Sequence, residues 1–123
     1  MAINGLNIGV SALQANQRAL DISANNVANA LTAGFQPSRA EFQATAPSGV
    51  VVNVSQAGQQ LAQQIAQQTN GSQGNTSLAS EPSGTDLATE IVNQIQYKAG
   101  FNFAAKIIKT NDEILGTLLD LRA

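Results

Sequence analysis

Between Ile3 and Leu31 apolar residues recur at alternating steps of three and four, a spacing that commits this stretch to a helix lying along another helix. One row is Leu6, Leu13, Leu20 and Val27, and the other is Ile3, Val10, Gln17, Ala24 and Leu31. Only Gln17 interrupts the pattern, and one polar residue buried in such a seam is enough to fix register. Neither glycine nor proline occurs between Val10 and Ala33. The helix is expected to end between Asn29 and Gly34. Asn25, Asn26 and Asn29 suit turns and termini, because their amides compete for nearby backbone groups. Gly34 suits the left-handed conformation that closes a helix. Phe35 follows as an apolar anchor, and Pro37 discourages the helix from resuming.

A second helix is expected from about Asp86 to the end, capped by Ser83, Thr85 or Asp86, with Glu90 near the positive end of its dipole. At ~100° per residue, Val92, Ile95, Ala99, Phe103, Ile107, Ile114 and Leu121 fall on one side. Leu87, Phe101, Ala105, Ile108, Leu115 and Leu119 fall on the other. Lys98, Asn102, Lys106, Lys109, Glu113 and Asp120 lie between. A surface helix ordinarily carries one apolar stripe. Two stripes exceed what a two-helix hairpin covers, so the second calls for another partner. Gly100 costs about 1 kcal/mol relative to alanine inside a helix and marks a weak point or a close approach.

The segment from Gln43 to Gly84 is rich in Gln, Ser, Asn, Gly, Thr and Ala. Val50–Val54 reads as a short strand, Leu61 and Ile65 as one pair of helical turns, and residues 70–84 as a flexible loop. The expected organisation is therefore an N-terminal helix and turn over residues 1–42, a polar linker over 43–84 and a C-terminal helix over 85–123. The fold class is mainly α: two long terminal helices pair as an antiparallel coiled-coil hairpin around a short middle segment, partly disordered or β-containing.

Composition narrows the function. Charged residues are 11% and aromatics 4% of the 123 residues, against roughly 25% charged in an ordinary soluble domain. Large core side chains and a charged surface are both scarce, as in a subunit that buries its surface against neighbours. The chain has no cysteine and no histidine, which removes thiolate chemistry and the commonest general base. Asp112 and Glu113 are adjacent, so on a helix they diverge rather than converge; they read as a solvated pair near Lys109. Ser11, Ser23 and Ser38 have no histidine to activate them. No catalytic residue, cofactor or metal is expected. The net charge of −2 disfavours binding to nucleic acid or anionic lipid. No apolar run approaches the ~18 residues of a membrane span, and the start lacks the pattern of a cleaved signal peptide.

Ala12-Leu13-Gln14-Ala15-Asn16-Gln17-Arg18-Ala19-Leu20-Asp21 followed by Asn25-Asn26-Val27-Ala28-Asn29-Ala30-Leu31-Thr32-Ala33-Gly34-Phe35 resembles the N-terminal signature of bacterial flagellar rod and hook proteins. Lys106-Ile107-Ile108-Lys109-Thr110-Asn111-Asp112-Glu113-Ile114-Leu115 resembles the C-terminal helix of the same family. Hook and distal-rod members carry large β-rich domains between these ends, so a small proximal-rod or hook-core member fits best. The resemblance implies a structural subunit of the basal-body rod or the hook, exported unfolded without a cleaved leader and polymerising helically into a tube. Its partners would be further copies of itself, neighbouring rod or hook subunits and the flagellar export apparatus. Leu6, Val10, Leu13, Leu20, Val27, Phe35, Val92, Ile95, Phe101, Ile108, Leu115 and Leu119 are the expected packing and assembly residues. Asn25, Asn26, Asn29, Thr32 and Gly34 form the signature turn. The competing reading is a small helical-hairpin adaptor of a secretion system.

Overall fold

The computed structural model describes residues 2–47, 49–55 and 82–121. Helix α1 spans Ala2–Ala28, strands β1 and β2 span Ala40–Thr45 and Gly49–Val54, and helix α2 spans Leu87–Asp120. The protein is thus mainly helical, with a small two-stranded antiparallel sheet between the helices in sequence. The expected pieces at Leu61, Ile65 and residues 70–81 lie outside the described residues.

α1 stops where the asparagines predict. The amide of Asn29 donates to the Asn25 carbonyl at 3.1 Å, Thr32 to Asn29 at 3.0 Å and Phe35 to Thr32 at 3.2 Å, so the chain leaves the helix through consecutive turns. Gly34 sits at φ 71°, in the left-handed region that glycine enters without steric cost. At the start of α2 it is Asp86, of the three candidates, that caps. Its carboxylate accepts from the amides of Ala88 at 3.1 Å and Thr89 at 3.4 Å and from Thr89 Oγ1 at 2.8 Å. The Thr89 hydroxyl and amide hold the Asp86 carboxyl below its ordinary value of 3.8. This cap therefore supports the helix start above that ordinary value and is lost as pH falls through the lowered one.

β2 is the strand expected at Val50–Val54. β1 is the partner it needed, and it straddles the boundary drawn at residues 42 and 43. The register pairs Ala40 with Val54, Phe42 with Val52 and Ala44 with Val50. β-branched residues dominate β2 and fit a half-buried pleated surface. Val52 points inward against Ala15 and Ala19, forming the small apolar core with Ile22, Ala40, Val50 and Tyr97 around it. The hairpin is tied to α1 by Val50 N donating to Ser11 Oγ at 3.3 Å, and to α2 by the Phe42 and Tyr97 rings, 5.9 Å apart.

The two helices run antiparallel, and close approaches between them fall at glycines. A methyl group placed on Gly9 would lie 2.7 Å from Ile108 Cγ1, one on Gly5 2.6 Å from Asn111 Oδ1, and one on Gly100 2.9 Å from Asn16 Cγ. Further along, Ser23 and Asn26 meet Glu90. Gly5, Gly9, Ala12, Asn16, Ala19, Ser23 and Asn26 repeat at the same three-four steps as the leucines, but on a face that admits the partner backbone closely. Gln17, expected as the buried register residue, is instead exposed and donates to Asp21 Oδ1 at 3.1 Å. The periodicity is satisfied by either row, and small side chains bring the backbones together.

Candidate functional site

The most constrained point of the molecule is a buried polar cluster where the end of α1, the segment leading into β1 and the first turn of α2 converge. Asn26 is 1% exposed, Ser23 2% and Glu90 8%. Ser23 Oγ donates to Glu90 Oε2 at 2.6 Å and lies 3.2 Å from the Glu90 carbonyl. Asn26 Nδ2 donates to Glu90 Oε1 at 2.8 Å and to the Ser38 carbonyl at 2.7 Å. The Ser38 amide closes the circuit by donating to Asn26 Oδ1 at 2.9 Å. Both carboxylate oxygens are occupied, and among the described residues no buried side-chain polar atom lacks a partner. A fully satisfied network of this kind rigidifies its surroundings, because every displacement exposes a buried donor or acceptor.

The cluster borders an open cleft of about 460 Å³ that Arg39, Asp86 and Tyr97 also line. Burial first, and the nearby Glu90 charge second, push the Tyr97 phenol above its ordinary value of 10.0. The fold thus favours the neutral phenol. Its contribution to stability is present below that ordinary value and lost as pH climbs through the raised one. Tyr97 is the chain's single tyrosine, so an absorbance titration at alkaline pH reads it alone. The midpoint is expected above the ordinary value, and Glu90→Gln should lower it part of the way, leaving the larger effect of burial.

The other expected residues separate into distinct groups. Leu6, Leu13, Leu20, Val27 and Phe35 are half-buried, as are Phe101, Ile108 and Leu115 on α2. Val10, Val92, Ile95 and Leu119 are exposed. Leu20, Ile91, Ile95 and Phe101 line a shared groove between the helices. In the signature turn, Thr32 Oγ1 donates to Asn29 Oδ1 at 3.3 Å and Asn29 Nδ2 to the Asn25 carbonyl at 3.0 Å. Asn26 is the member that leaves the turn and reaches across to α2. Sequence reasoning missed Ser23, Glu90 and Ser38 as a unit. The available signal was the step from Ser23 to Asn26 on the small-residue row, paired with an acid in the first turn of α2.

The cluster's hydrogen bonds are spent on one another, and among the described residues no group of three or more acids gathers as a metal site. The solvated acid predicted on α2 is found as such, Glu113 lying 3.9 Å from Lys109 with both side chains exposed. No helix among the described residues is long and apolar enough to cross a membrane. The fold and its polar cluster define a structural element that holds two helices and a hairpin together.

Comparison with known proteins agrees with that class. Residues 6–36 match the family described as "Flagella basal body rod protein", and residues 77–121 match the "Flagellar basal body rod FlgEFG protein C-terminal" family. A segment of 34 residues, 28% of this chain, is 59% identical to the flagellar hook protein FlgE of Helicobacter mustelae and covers 8% of that protein. Both ends of the chain are thus similar to the flagellar rod and hook protein family. That family is structural rather than enzymatic.

Proposed function

We propose that this chain is a structural subunit of the flagellar axis, in the basal-body rod or the hook, and that it polymerises helically through its terminal helices. The observation that carries the reading is the mismatch between what the fold buries and what it leaves open. Among the described residues the buried apolar side chains are Ala15, Ala19, Val52 and Ala104. Meanwhile Val92, Ile95, Phe103 and Leu119 on α2 are 56%, 65%, 67% and 71% exposed. Fully burying a side chain of that size is worth about 1.5–3 kcal/mol, so the free energy available from neighbours exceeds what the lone chain gains. Ordering each residue costs about 1–2 kcal/mol in backbone entropy, and a core built mainly of alanine offsets little of it. Folding and assembly are then coupled.

In this reading the helices pair as a coiled coil in the assembled subunit, and the outward stripe of α2 meets adjacent copies or neighbouring rod and hook subunits. Export through the flagellar apparatus and a place on the flagellum follow from the same family reading. The test uses residues already exposed in the single chain. Ile95→Glu and Leu119→Glu should change its unfolding free energy by no more than about 0.5 kcal/mol and abolish the tubes or filaments expected of wild-type protein in electron micrographs. Wild-type protein that forms no polymer and copurifies with one non-flagellar partner would establish the adaptor reading instead.

A further inference from the structure

The register between α1 and α2 has no obvious local source. α1 ends at Ala28 and α2 begins at Leu87, so no tight turn dictates which residues face each other, and long connections tolerate shifts at small entropic cost. The seam is equally permissive. Gly9 faces Ile108, and sliding α2 by one heptad would put Phe101 or Leu115 there, with comparable apolar contact. Two places resist the slide: Gly100, whose lack of a side chain makes room for Asn16, and the cluster, which resists it through polar partners rather than through volume. The same slide would carry Glu90 from Ser23 and Asn26 to Asn16 and Ala19, where alanine offers no donor and the Asn16 amide already donates to the Ala12 carbonyl at 2.8 Å, or to Ala30 and Ala33, beyond the end of α1.

We infer that Ser23, Asn26 and Glu90 form a register clamp that selects one alignment of the two helices from several the apolar seam would accept. Its specificity comes from the two-point grip on one carboxylate, Ser23 on Oε2 at 2.6 Å and Asn26 on Oε1 at 2.8 Å. Asn26 is itself held by both backbone groups of Ser38. The clamp therefore sets α2 against α1 and against the segment entering β1 together. Single buried polar contacts are known to specify register in helical pairs at some cost in stability, and the same logic applies here to a cluster of three.

Disulfide trapping in the full chain tests this, since the natural sequence has no cysteine. Gln17 and Lys98 line the same groove and are both exposed, so a Gln17→Cys/Lys98→Cys pair reports the observed register. Gln17→Cys paired with Ala105→Cys or Ile91→Cys reports a slide of one heptad, about 10 Å along the axis. Oxidation is followed in whichever state, free or polymerised, circular dichroism shows both helices. With the clamp intact, the first pair should close in preference to the others by roughly tenfold to a hundredfold, the ratio one unsatisfied buried polar group commands. The Ser23→Ala/Glu90→Leu double variant replaces the polar contact by apolar volume and leaves Asn26 paired with Ser38. It should retain helicity while the slid pairs close at rates within a few-fold of the first. If the double variant still closes only the first pair, other contacts, such as Gly100 against Asn16 or Gly84 N on the Phe35 carbonyl at 2.9 Å, set the register and the inference is overturned. Loss of helix in the double variant would equally overturn it, by making the cluster a source of stability and not of alignment.

Discussion

Glu90→Ala is expected to lower the stability of the two-helix core by about 1.5–3 kcal/mol, the range for hydrogen bonds to a charged group. The substitution removes the only acceptor for Ser23 Oγ other than the Glu90 carbonyl, and one of the two acceptors of Asn26 Nδ2. The loss comes from leaving the buried Ser23 hydroxyl without its side-chain acceptor, a penalty that a core of mostly alanine does little to offset. Urea titration followed by circular dichroism should show the midpoint falling. Glu90→Gln keeps the shape but turns one acceptor into a donor, so it should lose one of the two contacts and fall between. Glu113→Ala removes an acid of the same helix whose ion pair with Lys109 is exposed, and should shift stability by less than about 1 kcal/mol. Equal effects at Glu90 and Glu113 would mean that the cluster contributes nothing special.

The second large effect is a reversal of sign between glycines of one helix pair. Gly→Ala in a helix interior ordinarily stabilises by about 1 kcal/mol. Gly116 has nothing within 4 Å of the position a Cβ would take, so Gly116→Ala should deliver that gain. Gly100→Ala should not. Its Cβ would press on the Asn16 side chain, whose amide is held in place by donating to the Ala12 carbonyl at 2.8 Å. Gly9→Ala would drive a methyl to 2.7 Å from Ile108 Cγ1, with the Ala104 backbone oxygen 3.7 Å away. Either change has to displace its neighbour, the Asn16 amide from its bond to Ala12 or the Ile108 side chain, and overpacking of this kind costs about 1–3 kcal/mol. Thermal or urea unfolding of the three variants checks the contrast. Stabilisation at all three positions would show that the helices do not approach as closely as described.

Much of the fold was legible because local chemistry decides it. The ends of α1 and α2 follow from Asn29, Gly34, Pro37 and an acidic cap, each acting within a few residues of itself. The valines of β2 announce a strand for the same reason. β1 was legible in principle from the alternation of Ala40, Phe42 and Ala44 with Glu41, Gln43 and Thr45, but a two-stranded sheet gains its meaning only when the second strand lies beside the first.

The sequence by itself determined that both ends are helices with repeating apolar rows, and that the chain carries more apolar helical surface than one hairpin covers. Only the tertiary structure decided which face of α1 meets α2. Heptad spacing is a property of a row, and the leucine row and the row of small residues share it. Backbone approach at Gly5, Gly9 and Gly100, with the covalently distant meeting of Asn26 and Glu90, selects between them. Those contacts join residues more than sixty positions apart, and no local signal encodes a distance of that kind.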